Sequence, residues 1–148
     1  MTTKREQVLL ALAAAIGPLN GVAVTRNVPL VDMQAEGAAA NIDDGGLEQT
    51  DAFLNGRDGT VYEFTASPSL MLAVCGGSEA ERDAAVDAML VDLQARIVTM
   101  LGDGLGDLVT DIRPQPADYS PREFFGAANS KSASITIELD YWSTSSLG

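Results

Sequence analysis

The chain has 148 residues, 46% of them hydrophobic and 20% charged, which suits one globular domain with a single core and excludes wholesale disorder. Nine basic residues against 21 acidic ones leave a net charge of −12, a surface that repels nucleic acid phosphates and anionic membranes. No run of about 20 apolar residues is present to cross a bilayer, and the charged start Lys4-Arg5-Glu6 carries an acid that a secretory leader avoids, so a cytoplasmic product is expected.

Thr3 with Glu6 three residues on forms a capping box, and Val8, Leu9, Leu12 and Ile16 follow at helical spacing until Gly17-Pro18. This predicts a short amphipathic helix. After the turn signal Asn20-Gly21, residues 22–27 read as a strand of β-branched character, and 37–42 as another, ended by Asp43-Asp44-Gly45-Gly46. From Leu47 to Gly59 the period is weak, yet Phe53-Leu54 is apolar. The segment reads either as an arm that docks on something or as a loop folded back onto its own core.

The longest strand signal follows, with Tyr62, Phe64, Ala66, Leu70, Leu72 and Val74 on one face and Glu63, Thr65, Ser67 and Ser69 on the other. Pro68 interrupts it and cannot donate to a sheet ladder, which predicts an edge strand or two strands joined by a bulge there. Ser78 and Glu81 form a second capping box, opening a helix to Leu101 with Val86, Met89, Leu90, Leu93, Ile97 and Leu101 as its buried stripe. Arg96 suits its C-terminal dipole, and Gly102 and Gly104 stop it. A short strand is expected over 109–113, then irregular chain through Pro114 and Pro116 to a turn around Phe124-Phe125. The last strand is clear: Ala133, Ile135, Ile137, Leu139 and Tyr141 face the core, and Ser134, Thr136, Glu138, Asp140 and Trp142 face water. Together these elements predict an α+β fold, a mostly antiparallel sheet with two helices packed on one face, in a single domain over 1–148.

Histidine is missing, which removes the usual general base, the usual zinc ligand and any serine–histidine–acid triad. Cys75 stands alone without nearby positive charge and reads as a packed thiol. Asp43-Asp44 and the acids Glu79, Glu81, Asp83 and Asp87 lack the oxygen spacing of a calcium loop, and Asp103-Gly104-Leu105-Gly106-Asp107 follows a helix and lacks the lysine of a phosphate-cradling loop. No catalytic residue, cofactor site or metal site is therefore assigned.

In order and spacing, the helix 4–12, the strand ending Arg26-Asn27, the strand 62–74, the helix opening Ser78-Glu79-Ala80-Glu81 and the strand 135–141 resemble the tail terminator family of long-tailed phages, the lambda minor tail protein U-like group, and the related proteins of gene transfer agents. The resemblance implies a non-enzymatic virion protein at the head-proximal end of the tail, made in the host cytoplasm. It implies a homo-hexameric ring that caps the tail tube, ends tube polymerisation and joins the tail to the head. The implied partners are the tail tube protein and a head-tail connector or stopper. The resemblance also implies that DNA passes through the lumen without specific binding, and six copies would carry −72, a charge expected to let it slide. A connector or stopper subunit shares these properties, and a small acyl-transfer enzyme is the competing class, for which no nucleophile–base pair is evident. The interface candidates are Arg26, Phe53, Leu54 and Arg57, which combine cationic and apolar character with expected exposure.

Overall fold

A computed structural model describes residues 2–28, 37–54, 59–119 and 130–148. Arg57, the end of the 47–59 segment before Gly59, and the turn at Phe124-Phe125 lie outside the described residues. Helix α1 (Lys4–Ile16) is capped as its sequence predicts: Thr3 Oγ1 accepts from the Glu6 N–H at 3.2 Å, and Val8, Leu9, Leu12 and Ile16 are buried. Strands β1 (Val24–Arg26), β2 (Gly37–Leu54) and β3 (Thr60–Cys75) follow, then helix α2 (Glu79–Asp107) and strands β4 (Asp111–Pro114) and β5 (Ser130–Ser143). The five strands form one sheet in the order β1-β2-β3-β5-β4, antiparallel except for the β1–β2 pair. The fold is α+β, with both helices contributing to a single core against the sheet.

The core follows the period-two reading closely. Phe64, Ala66, Leu70, Leu72 and Val74 of β3 and Ala133, Ile135, Ile137, Leu139 and Tyr141 of β5 are all buried. They meet Val86, Met89, Leu93 and Ile97 of α2. One position of the helix stripe shifts: Met100 is buried where Leu101 was expected, and Leu101 is 54% exposed. Regular helical geometry runs past Leu101 and through Gly102, and breaks at Gly104, where Gly104, Leu105 and Gly106 all adopt left-handed backbone angles. The outer face is not uniformly wet, since Asn41, Ala73, Ser132 and Ser134 are buried there. Asn41 is satisfied by Thr25 Oγ1 at 2.9 Å and the Val28 N–H at 3.1 Å, and the Ser134 backbone pairs with Asp118.

Two expectations fail at Pro68. The residue lies neither on an edge strand nor between two strands, because β3 runs unbroken through the centre of the sheet, between β2 and β5. The adjustment falls on its neighbour: Asp43 pairs with Ser69 and Gly46 with Ser67, so Asp44 and Gly45 together oppose Pro68 alone. The Ser67 carbonyl faces β2 at the bulge, so across the trans Ser67–Pro68 peptide the proline nitrogen faces β5, where neither Ser67 nor Pro68 forms a registered pair. Asp43-Asp44-Gly45-Gly46 therefore does not end the strand; β2 passes through it and continues to Leu54. The displaced groups are satisfied, with the Gly45 N–H on Asp43 Oδ1 at 3.0 Å and its carbonyl on Arg5 Nη2 at 3.1 Å.

Among the described residues two buried side-chain polar atoms, Arg5 Nε and the Tyr141 hydroxyl oxygen, have no hydrogen-bond partner. Tyr141 is fully buried and stacks on Phe64 at 5.7 Å, with its hydroxyl unpaired among the described residues. Burial also pushes its ionisation above the usual phenol range. Tyr141→Phe keeps the ring packing and removes the unpaired hydroxyl. It is expected to raise stability by about 1 kcal/mol, read as a higher urea midpoint at unchanged denaturant slope.

Candidate interaction surface

Beyond Ile42, β1 no longer accompanies β2, and residues 45–54 of β2 are exposed throughout. This stretch pairs with Thr60–Ser67 of β3, which is backed in turn by the end of β5, so 47–54 is a hairpin arm of the sheet and not an irregular loop. A second register shift inserts Thr50 between Gln49 and Asp51. With the bulge at Asp44-Gly45, it breaks the open edge into short regular pieces, a device that discourages strand addition.

The arm ends in apolar side chains facing water. Leu54 is 83% exposed, Phe53 39% and Trp142 of β5 51%. Phe53 and Trp142 share the outer face, with ring centroids 5.8 Å apart in an edge-to-face arrangement, and Trp142 Nε1 donates to Glu63 Oε2 at 3.2 Å. Trp142 and Phe53 form an aromatic pair on this face, while Leu54, next along the strand, projects from the other. The signal of Trp142 in the sequence is an indole on the polar side of an otherwise clean alternation.

Arg26 is placed differently. It lies beside Ile42 on β1, separated from Phe53 by on the order of 30 Å of strand at about 3.3 Å per residue. Its guanidinium is clasped from two sides: Nη1 and Nη2 donate to the two oxygens of Glu6 at 2.7 and 2.8 Å, and Nε and Nη2 to those of Asp44 at 2.7 and 2.8 Å. The side chain is 22% exposed. Hydrogen bonds from Arg26 hold the Glu6 and Asp44 carboxyls below the usual carboxylate range, and both carboxylates raise the arginine further. The structure thus brings Phe53 and Trp142 together on the outer face, leaves Leu54 exposed on the opposite face of the same strand, and ties Arg26 into a clamp joining α1, β1 and the β2 bulge.

Several of the other polar groups singled out in the sequence are also engaged. Asp43 and Asp44 serve the bulge and the Arg26 clamp, and Asp83 meets Lys131 Nζ at 2.5 Å. On the outer face, Arg113 bonds Asp111, Glu138 and Asp140, and Asp140 also accepts from Thr65 Oγ1 at 2.6 Å; these donors hold Asp140 below its ordinary range. Cys75 is partly buried at the end of β3, opposite Gly37 and Ser130. Among the described residues no group of three histidine, cysteine or acidic side chains is arranged to hold a metal ion. Comparison with protein-family models and with curated proteins gives no match to this chain.

Proposed function

We propose that the chain is a structural, non-enzymatic subunit of a hexameric ring that caps the tube of a long phage or gene-transfer tail, ends tube polymerisation and joins the tail to the head. The observation that carries this reading is the projecting β2–β3 arm, which presents Phe53, Leu54 and Trp142 to solvent. A monomer gains nothing by holding an indole and a phenyl ring together on one face and a leucine on the other in water, whereas a subunit interface concentrates such side chains. The net charge of −12 per copy suits a lumen through which DNA slides without sticking.

Two measurements test the reading. Light scattering on the purified chain, alone and with tube protein, is expected to find a species near 93 kDa, six times 15.5 kDa. Electron microscopy of particles assembled without the chain is expected to show overlong tails. Tails of normal length on heads that lose their DNA would instead make it a stopper of the head-tail joint. A thermal shift with an acyl-coenzyme A that disappears in Cys75→Ser would move it to group transfer.

Phe53→Ser with Leu54→Ser is expected to leave folding stability within about 1 kcal/mol, because both side chains are already partly in water. Ring formation or tube capping should fail in this variant. Unchanged tail lengths would remove the arm from the interface.

A further inference from the structure

Helix α2 carries two apolar stripes where packing on the core requires one. The inward stripe is Val86, Met89, Leu93, Ile97 and Met100, all buried. On the opposite side, Ala84, Ala88, Val91, Ala95, Val98 and Gly102 recur at alternating steps of four and three residues, the repeat of a coiled-coil seam sustained over nearly three heptads. Val91 is 65% exposed and Val98 58%; Ala84, Ala95 and Gly102 are exposed and only Ala88 is half-buried.

The flanks say what could cover this seam. Asp83 and Asp87 border it on one side, Glu81 and Asp92 on the other, by helical spacing. The two basic residues of α2 are turned back onto the chain, Arg82 Nη1 to the Gly77 carbonyl at 2.6 Å and Arg96 towards Asp92 at 3.5 Å. Asp83 is matched by Lys131, and among the described residues Glu81 and Asp87 enter no ion pair. A second copy laid on the seam would set these acids against its own, at −12 per chain.

We propose that the outward face of α2 is the docking site for a helix of another protein, one whose own apolar seam is flanked by lysine or arginine. The small residues let the partner backbone approach closely, Val91 and Val98 supply the apolar contact, and Glu81 and Asp87 select the basic flanks. This surface lies on a different element from the β2–β3 arm and stands without the ring reading.

The test uses the full chain and two synthetic three-heptad peptides, each with leucine at the seam positions, one flanked by lysine and the other by glutamate. Fluorescence anisotropy is expected to show binding of the lysine peptide, weakening with added salt, and none of the glutamate peptide. Val91→Gln with Val98→Gln, exposed positions where glutamine is a good helix former, should leave the melting curve unchanged and weaken binding by about tenfold. Glu81→Gln with Asp87→Asn should weaken it by about threefold and flatten the salt dependence. The proposal is overturned if the lysine peptide does not bind, if the valine variant binds it as tightly as the parent, or if both peptides bind alike. Self-association of the chain that the valine variant abolishes would also overturn it, by making a second copy the occupant.

Discussion

Gly45→Ala is expected to destabilise the chain by about 3–5 kcal/mol, with Gly46→Ala beside it changing stability by less than about 1 kcal/mol. Gly45 holds φ at +63°, a conformation that strains any residue with a Cβ. A Cβ built there would lie 2.0 Å from the Ser67 carbonyl oxygen and 2.9 Å from its carbon. Those are backbone atoms of the central strand, so relief requires β2 and β3 to separate where the bulge meets Pro68, and overpacking adds to the backbone strain. Gly46 has no positive φ and nothing within 4 Å of its Cβ position, which makes it an internal control one residue away. Urea titrations of the two variants decide the matter; equal midpoints would mean that the bulge can rearrange without loss.

Removing the arginine of the clamp is the second large change. Arg26→Met leaves Glu6 and Asp44 facing one another without the four hydrogen bonds that joined them, and is expected to lower stability by about 2 kcal/mol at neutral pH. The loss has a pH signature whose sign follows from the carboxyls. Both have folded values lowered by hydrogen bonds from Arg26, so their contribution is fully present above the unfolded carboxylate range near 4 and is lost as pH falls through the folded values. The gap between parent and variant should therefore be constant above about pH 5 and close progressively in acid. A gap that does not narrow below pH 4 would show that Arg26 acts through its packed stem and not through its charge.

The clamp also explains why Arg26 is less exposed than its sequence suggests. An arginine at the end of a short strand reads as exposed, since nothing local announces that a carboxylate 20 residues earlier and another 18 later will converge on it. Phe53 and Leu54 kept their exposure because they lie beyond the reach of any helix, on the part of β2 that β1 does not accompany. Trp142 joined Phe53 through sheet pairing: Glu63 registers with Trp142 and Val61 with Phe53, so residues far apart in sequence share one face.

What the sequence determined alone was everything governed by period and by capping. The two helices with their Thr3 and Ser78 caps, the buried faces of β3 and β5, the glycine stop of α2 and the α+β class all follow from apolar residues recurring at 3.6 or at 2. The tertiary structure alone decided the path of β2. Asp43-Asp44-Gly45-Gly46 carries every local mark of a turn, and only its pairing with β3, where Pro68 lies opposite and 23 residues after Gly45, makes it a bulge. Strand pairing is a contest between segments distant in the chain, and the side chains that settle it here, Arg5, Arg26 and Asp43, act on a backbone that no local rule could place.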